Sequence, residues 1–369
     1  MNETDALLVL NAWPWVTNLR KRKLLDHFGS AQEVLRLSEK DFIEQKLASP
    51  AAIKKIFQFD RDKFLKSEYN LISKHQARIL VNTDARFPGH LKEIPDCPIV
   101  LYIKGELPQD QGIAIAMVGS RRSSIYGIGV AEKFSARLAE LGITIVSGMA
   151  RGIDTAAHKG CLNVKGKTVA VLGCGLNHVY PPENNILYTR IVKTGAVISE
   201  FPMDTPPVAY NFPRRNRIVS GLTLGVVVVE ASTRSGALIT SRCALEQGRE
   251  VFAVPGKVDA PNAQGTHRLI KEGAKLISSV EDILEELNLT LKSLLAPQPQ
   301  GASGQAAPLV ANLSCEEEAL YQHMDSDPVY IDDLMSRTRG AVKNIMNTLL
   351  RLEIKKLIKQ LPGKFYIKN

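Results

Sequence analysis

The sequence has few cysteines and no long apolar run, and both absences narrow the class of protein. Its five cysteines include no C-x-x-C pair, and their odd number argues against a disulfide framework. No run of about 18 apolar residues is available to span a bilayer. The N-terminus MNETDALLVLNAW is acidic where a signal peptide is basic. We therefore predict a cytoplasmic protein that does not insert into a membrane.

The motifs of common nucleotide enzymes are missing as well. The segment GCGLNH, residues 173–178, has histidine in the place of the third glycine of the dinucleotide fingerprint G-x-G-x-x-G. GIGVAE, residues 127–132, also lacks that glycine, and GKTVAV, residues 166–171, has no upstream glycine at Walker A spacing. These absences disfavour hydride transfer and ATP chemistry.

Hydrolytic and metal chemistry find little support among the side chains. The loops offer no paired carboxylates for a general acid and a general base. Asp154 and His158 lie four residues apart, with Ser147 nearby, and leave open a metal or nucleophile site. An aspartate at a helix start and a packed histidine are, however, common structural residues. We predict that the protein is not an enzyme and uses no cofactor and no metal ion.

Positive charge is present in excess. The 369 residues include 47 lysines and arginines against 38 acidic residues, for a formal net charge of +9. Such a charge favours a polyanionic partner, either a nucleic acid or an anionic membrane surface. The length exceeds that of a usual single core and predicts two or three domains.

Composition and periodicity divide the chain into four segments. Residues 1–75 have apolar residues at helical spacing and predict a small all-helical domain. Residues 80–290 alternate apolar strand candidates with amphipathic helices, which predicts an α/β domain with a doubly wound parallel sheet. Residues 296–312, rich in Pro, Gly, Gln and Ala, predict a flexible linker. Residues 313–369 predict three helices and a hairpin, the pattern of a winged helix.

The loops after four strand candidates have residues that suit phosphate. Ligands of open α/β sheets lie beyond the carboxyl ends of the strands, where this chain has GSRRSS, SGMARGID, GCGLNHVYPPEN and STRSGA. Glycine permits close backbone approach, and helix starts favour anions. Ordinary turn chemistry and solvated arginines are the alternative explanation. Because arginine recurs in three of these loops, we favour a phosphate-containing ligand, with these candidates: Arg121, Arg122, Arg151 and Arg234.

The segment NFPRRNRIVSG, residues 211–221, places an aromatic ring beside a cluster of arginines. Single-stranded nucleic acid needs aromatic faces for its unpaired bases and a basic groove for its backbone. Phe212 supplies the ring, and the following arginines supply the charge: Arg214, Arg215 and Arg217. Packing in the core is the alternative for the ring. Tyr180, followed by two prolines, is a second candidate stacking platform.

Six motifs follow one another within residues 80–287. They are GSR (119–121), SGMARGID (147–154), GCGLNHVYPPEN (173–184), NFPRRNRIVSGL (211–222), EASTRSGALITSRCALEQGREVFAVPG (230–256) and GTHRLIKEGA (265–274). Together they closely resemble the DNA-processing protein A family, DprA/Smf. The resemblance implies an N-terminal SAM-like helical domain, an extended Rossmann-like domain and a C-terminal winged helix. Motif by motif, it implies DNA-binding roles for Gly119, Ser120, Arg121, Ser147, Gly148, Phe212, Arg214, Asn216, Arg217, Ser235 and Gly236.

What the resemblance implies is a bacterial protein that binds incoming single-stranded DNA during natural transformation and recombination. Such a protein protects the strand, helps to load the RecA recombinase and displaces or bypasses single-strand binding protein. The resemblance also implies a homodimer through the Rossmann-like domain and no catalysis. A nucleotide-binding enzyme and a transcription factor acting through the winged helix stay open as alternatives.

The chain departs from the family pattern at two places. AWPWVTNLRKRK, residues 12–23, stands where the family often has a glycine-containing helix-hairpin-helix loop. In part of the family a lysine lies just ahead of the aromatic, whereas residues 208–211 here are VAYN. Another cation, Arg215 or Arg122, therefore has to serve in place of that lysine.

Overall fold

The chain folds into two compact units, Met1–Pro297 and Gln298–Asn369, in the computed structural model. The structure describes residues 1–108 and 113–289 and, in the second unit, residues 320–321, 324, 329–330, 333–334, 345, 348–349, 352, 358–361 and 365–368. The predicted linker 296–312 lies outside the described residues, as do most positions of the three predicted C-terminal helices.

Six helices occupy the N-terminal part, which confirms the prediction that this segment is all helical. They are α1 (Glu3–Asn11), α2 (Asn18–Phe28), α3 (Ala31–Arg36), α4 (Glu39–Glu44), α5 (Pro50–Phe57) and α6 (Arg61–His75). In each, a polar side chain just before the first turn accepts a backbone N–H, in the order Asn2, Thr17, Ser30, Ser38, Ser49 and Asp60. These N-caps satisfy donors that the helix itself leaves free and thereby define where each helix begins.

A nine-stranded sheet forms the centre of the first unit. Its strands are β1 (Arg78–Val81), β2 (Val100–Gly105), β3 (Ala114–Val118), β4 (Thr144–Ser147), β5 (Thr168–Val171), β6 (Ala196–Ser199), β7 (Gly225–Val228), β8 (Glu250–Ala253) and β9 (Lys275–Leu276). Their order is β1-β2-β6-β5-β4-β3-β7-β8-β9. β3 to β9 run parallel, while β1 and β2 pair antiparallel at one edge.

Helices cover both faces of this sheet. They are α7 (Gly89–Lys92), α8 (Ile125–Glu140), α9 (Ile153–Asn163), α10 (Asn185–Thr194), α11 (Asn211–Gly221), α12 (Ala237–Glu246), α13 (Gln264–Lys271) and α14 (Val280–Glu286). Alternate residues of a strand point to opposite faces, and Val226 and Val227 accordingly belong to different apolar clusters, the first with α11 and α12 and the second with α8 and α9. The predicted doubly wound α/β fold is confirmed.

The N-terminal helices and the sheet share one apolar core. Leu8 and Trp13 of the helical part join Val100 and Tyr102 of β2 and Leu172, just after β5, in a single buried cluster. Their joint burial explains why the first 297 residues form one compact unit. This shared core crosses the predicted domain boundary between residues 75 and 80. The boundary itself stays a prediction.

The second unit contains a three-stranded antiparallel sheet. Its strands are β10 (Val329–Tyr330), β11 (Ile358–Leu361) and β12 (Phe365–Lys368), in the order β10-β12-β11. β11 and β12 pair antiparallel, as the predicted hairpin requires, and its predicted turn at Pro362 and Gly363 lies outside the described residues. Apolar residues among those described in this unit, such as Leu320, Leu349 and Ile358, pack into one cluster.

The segment NFPRRNRIVSG proves to be a helix, α11, separated from the following strand by three residues. The sequence pattern did not predict this helix. None of the described helices is both long and apolar enough to cross a bilayer.

Candidate nucleic-acid interface

The carboxyl edge of the parallel sheet brings the four predicted loops together. From β3 the chain moves outward through β4, β5 and β6 and then returns to place β7 on the other side of β3. Open α/β sheets have a crevice at such a switch point, and here the loops 119–124 and 229–236 border it. Helix α11 is part of the connection that crosses back from β6 to β7, so its first turns lie at this edge.

Phe212, in the first turn of α11, lies between an aromatic ring and a cation. Its ring centroid is 5.4 Å from that of Tyr180, with the planes inclined at 39°. The guanidinium carbon of Arg121 is 5.2 Å from the same centroid. Gly173 leaves room for the ring, because a Cβ there would lie 2.7 Å from Cδ1 of Phe212. The ring is neither fully buried nor free, and it stays partly accessible at the sheet edge.

Arg215 faces the protein interior, which corrects its predicted role as a DNA contact. Its Nη1 donates to the carbonyl oxygens of Gly148, at 2.6 Å, and Val171, which end two neighbouring strands. Burial lowers the pKa of Arg215 to about 10, while the Asp154 carboxylate partly opposes that shift. A Cβ on Gly148 would lie 2.5 Å from this guanidinium. Gly148 therefore makes room for Arg215, and Arg215 cannot replace the family lysine at the surface.

Arg217 is also withdrawn from the surface, and its predicted phosphate contact needs the same correction. Its side chain is 8% exposed and forms ion pairs with Asp96, at 2.8 Å, and with the buried Glu200, at 2.6 Å. The two carboxylates offset the positive charge of this guanidinium, so it attracts a phosphate less than an unpaired arginine would. In α11, a helix that the sequence pattern did not predict, Arg215 and Arg217 are buried and Arg214 is half-buried.

Several predicted arginines remain accessible at the edge. Arg121, Arg122, Arg151 and Arg234 are exposed. Arg151 pairs with Glu183, and that contact raises its pKa. Arg214 is half-buried, with its guanidinium carbon 5.4 Å from the centroid of the Phe201 ring. These cations lie on three different loops and on α11, which matches a ligand with charge at several points along its length.

One depression beside α11 is unsuited to phosphate. A pocket of about 480 Å³ opens between α11, α12 and the loop before β2. Its lining combines Arg214 and Arg217 with the carboxylates of Asp96 and Glu246. Because these opposite charges offset one another, the pocket has no excess of positive charge for a phosphate.

Buried carboxylates already occupy two of the predicted anion-binding helix starts. Glu230 accepts the backbone N–H of Ser124 at 2.9 Å and also its hydroxyl, at the start of α8. Asp154 accepts the backbone N–H of Ala150 at 3.3 Å, before α9. Helix dipoles and free N–H groups favour anions, but at these two ends the protein supplies the anion itself. The expectation of free N–H groups is therefore wrong for α8, whereas α9 has no side-chain cap and has Asp154 in its first turn.

The start of α12 has no acidic residue in its first turn, and the hydroxyl of Ser235 accepts its first backbone N–H, from Ala237, at 3.3 Å. Its N-cap is Gly236, which is exposed and has no other atom within 4 Å of a built Cβ. Asn216 of α11 donates to the Gly236 carbonyl at 3.3 Å and so joins the two helices at this point. Ser235 lies beside them, half-buried. Of the predicted glycines, Gly236 has the open space that close approach of a ligand needs.

Ser120 and Ser147 are less available than the sequence suggested. The hydroxyl of Ser147 is buried and donates to the Met117 carbonyl at 2.6 Å, which ties β4 to β3. Ser120 is 9% exposed, and its hydroxyl accepts the backbone N–H of Arg122 at 3.1 Å. Gly119, beside it, packs against Ile153. These residues shape the loop after β3, while Arg121 and Arg122 extend from it.

Asp154 and His158 serve the core. Nδ1 of His158 lies 2.7 Å from Oγ1 of Thr168, whose own hydroxyl donates to the Ile145 carbonyl at 2.7 Å. Thr168 must therefore accept, which puts the histidine proton on Nδ1. Burial lowers the pKa of His158 to about 3 and raises that of Asp154. The part of the chain that the structure describes contains no group of three side chains able to hold a metal ion.

Sequence reasoning missed three acidic residues that organise the site: Asp96, Glu200 and Glu230. Asp96 and Glu200 hold Arg217, and Glu230 caps α8. A usable signal existed for two of them. Glu200 and Glu230 each stand near the end of an apolar strand candidate, where an unpaired carboxylate would be costly and a nearby cation or helix start is needed.

Comparison with known proteins agrees with this architecture. The family of DNA recombination-mediator protein A matches residues 78–288, and the DprA winged helix domain matches residues 304–364. Protein Smf of Escherichia coli K12 is 43% identical over 296 residues, covering 78% of this chain and 76% of its own.

Two solved structures are similar as well. The X-ray structure of DNA processing protein A from Streptococcus pneumoniae aligns with a TM-score of 0.66 at 37% identity, over 78% of this chain and 99% of that one. A structure of the Helicobacter pylori protein, which concerns its single-stranded DNA binding mode, aligns with a TM-score of 0.53 at 28% identity, over 58% of this chain and 97% of that one. The matched domains, the shared identity and the sheet topology have one explanation: this chain belongs to the DNA recombination-mediator protein A family, the DprA/Smf proteins.

Proposed function

We propose that this protein binds single-stranded DNA along the carboxyl edge of its parallel sheet. The observation that supports this most directly is the partly accessible Phe212 ring, set between Tyr180 and Arg121. Stacking on such a ring suits unpaired bases of any sequence, and cations spread over several loops suit a sugar-phosphate chain. The Helicobacter pylori relative, described as binding single-stranded DNA, supports the same assignment.

The site residues that we propose for the strand are fewer than the sequence suggested. The ring of Phe212, with Tyr180 behind it, is the stacking platform. The phosphate contacts are Arg121, Arg122, Arg151, Arg214 and Arg234, together with the open start of α12 at Ser235 and Gly236. Asn216 positions that start. Arg122 is the proposed substitute for the family lysine, since Arg215 is buried.

The biological role that we propose is that of a DNA-strand carrier rather than a catalyst. The protein protects incoming single strands in the cytoplasm and helps RecA to assemble on them where single-strand binding protein competes. Membership of the family and the match to both of its domains support this role. A homodimer through the sheet domain would join two edges into one longer track.

The deciding experiment compares three ligands by fluorescence anisotropy: a single-stranded oligonucleotide, its duplex and a mononucleotide. We expect tight, salt-sensitive binding of the single strand only. Competition by the mononucleotide at comparable concentration would point to a nucleotide-binding enzyme instead.

The proposed role in loading RecA has its own test. The rate at which RecA forms filaments on strands coated with single-strand binding protein should rise when the protein is added. Light scattering at micromolar concentration tests the dimer.

A further inference from the structure

Glu200, the residue after β6, joins the N-terminal helices to α11. It is buried, and its Oε2 accepts Nδ2 of Asn18, at 2.5 Å, from the start of α2. The same oxygen accepts Nη2 of Arg217, at 2.6 Å, from α11. The backbone carbonyl of Glu200 accepts Nδ2 of Asn11 at 2.8 Å, at the end of α1. Glu200 is therefore hydrogen-bonded directly to the N-terminal helices and to α11.

The contacts continue from Glu200 to the proposed DNA surface. Arg217 is five residues after Phe212 in the same helix, so the contacts that hold Arg217 also restrain the helix that carries the ring. Arg214, one turn before Arg217, places its guanidinium over the ring of Phe201, the neighbour of Glu200. On the other side, Lys21 of α2 is buried and donates to the Asn11 carbonyl at 2.7 Å. The position of α11 thus depends on side chains of the first 21 residues.

These contacts are poorly explained by stability alone. A buried ion pair is often no more stabilising than well-packed apolar residues of similar volume. Here Oε1 of Glu200 and Nη1 of Arg217 are also buried without a hydrogen-bond partner among the described residues, which costs free energy. Hydrogen bonds of fixed geometry do, however, define one position of a helix where apolar contacts would tolerate several.

We propose that Asn18, together with Asn11, is a positioning residue for strand binding: through Glu200 and Arg217 the N-terminal helical part sets the pose of α11, and with it that of Phe212 and Arg214. The inference rests on the proposed function, because it concerns the same DNA surface. It gives the N-terminal helices a part in DNA binding that needs no contact between them and the DNA.

The test replaces Asn18 in the full-length protein and measures both stability and binding. Asn18→Leu removes the donor to Glu200, and Asn18→Gln keeps an amide donor. Phe42→Leu is the matched control, because Phe42 is buried in the same helical part and packs on Trp13 and Phe57, away from Glu200. The readouts are thermal unfolding, the Kd for a single-stranded oligonucleotide, its salt dependence, and the fluorescence of 2-aminopurine in that oligonucleotide, which reports stacking.

We expect Asn18→Leu to weaken strand binding by roughly tenfold, which corresponds to about 1.4 kcal/mol, and to reduce the stacking signal. Its salt slope should fall by no more than roughly 0.7, because Arg214 is the one proposed phosphate contact that α11 carries. Phe42→Leu should lower Tm but leave Kd and stacking unchanged, and Asn18→Gln should restore most of the affinity. In a Phe212→Ala background the Asn18→Leu effect should shrink, because there is no ring to position.

The inference is overturned if Asn18→Leu binds the strand with wild-type affinity. It is also overturned if Phe42→Leu, at the same Tm as Asn18→Leu, loses as much affinity, because the role of Asn18 would then be purely structural. Should Asn18→Leu fail to fold, Asn18→Ser and Asn11→Ser serve for the same comparison. A wild-type protein that binds no single strand contradicts the proposed function itself. That outcome is distinct, because it is seen before any variant is made.

Discussion

The guanidinium of Arg121 lies over the ring of Phe212, with its central carbon 5.2 Å from the ring centroid. Tyr180 contacts the same ring, with its centroid 5.4 Å away. A base that stacks on Phe212 therefore has to displace Arg121 or extend the stack beyond it. Under the proposed function we expect this cation to contact the phosphate that accompanies the base, so that ring and charge act on neighbouring parts of one nucleotide.

Replacing the ring and replacing the charge should leave different signatures. We expect Phe212→Ala to cost about 1–3 kcal/mol of single-strand affinity, because one stacking contact is lost. The slope of log K against log salt should stay the same, since no counterion-releasing contact disappears. Anisotropy titrations at several salt concentrations measure both quantities. Unchanged affinity, or loss of the fold, would mean that Phe212 only packs the edge of the core.

Arg121→Ala should instead reduce the salt slope by roughly 0.7, the value for one phosphate contact on a single strand. Arg214→Ala should do the same if Arg214 reaches a phosphate. Arg137 is an exposed arginine on α8 outside the proposed surface and provides the matched control. An equal change in slope for Arg137→Ala would show that only net charge matters and would remove Arg121 from the site.

Arg217→Met should act on stability and not on the salt slope. Removal of this guanidinium leaves Glu200 buried without its cation, and breaking a buried pair in this way costs about 3–5 kcal/mol. Urea unfolding followed by circular dichroism measures the loss. Restoration of stability in the double variant Glu200→Gln with Arg217→Met would support the explanation. A stable single variant with a flattened salt slope would instead return Arg217 to the DNA surface.

The two glycines at the site should differ in their response to alanine. Gly148→Ala places a Cβ 2.5 Å from the Arg215 guanidinium, so we expect a lower Tm. Gly236→Ala meets open space and should fold normally, but it should weaken strand binding if the backbone at the start of α12 approaches a phosphate. The Tm from thermal unfolding and the strand affinity from fluorescence anisotropy, measured for both variants, test these two expectations. Normal binding by a folded Gly236→Ala protein would exclude α12 as a phosphate site.

His158 should make the protein sensitive to acid. Burial lowers its pKa to about 3 in the folded state, from a usual value of 6.5. Between these values the unfolded chain binds the proton and the folded chain does not, so stability is fully present above pH 6.5 and falls as the pH drops towards 3. The loss approaches about 1.4 kcal/mol per pH unit. His158→Gln should flatten the dependence of unfolding free energy on pH in this range, and an unchanged slope would contradict the assignment.

The sequence predicted the fold closely, because its strong local patterns agree with the tertiary structure. The apolar run AVIS, residues 196–199, forms β6, and the apolar run after residue 224 begins at the first residue of β7. Buried parallel strands need continuous apolar side chains on both faces, and the helices between them need apolar residues at their own period. Both requirements can be read from neighbouring residues alone.

The sequence also identified which loops meet at the site, since parallel strands place all their carboxyl ends on one edge. It could not say which arginines face outward. Arg214, Arg215 and Arg217 are near neighbours in the chain, yet one lies beside the surface, one binds the ends of two strands and one pairs with Glu200 and Asp96. Those partners are 17 to more than 100 residues away, as the separations of Glu200 and Asp96 from Arg217 illustrate. The sequence alone determined the architecture and the chemistry available at the edge, because these depend on local periodicity; only the tertiary structure decided the use of each side chain, because burial and ion pairing depend on residues that the fold brings together.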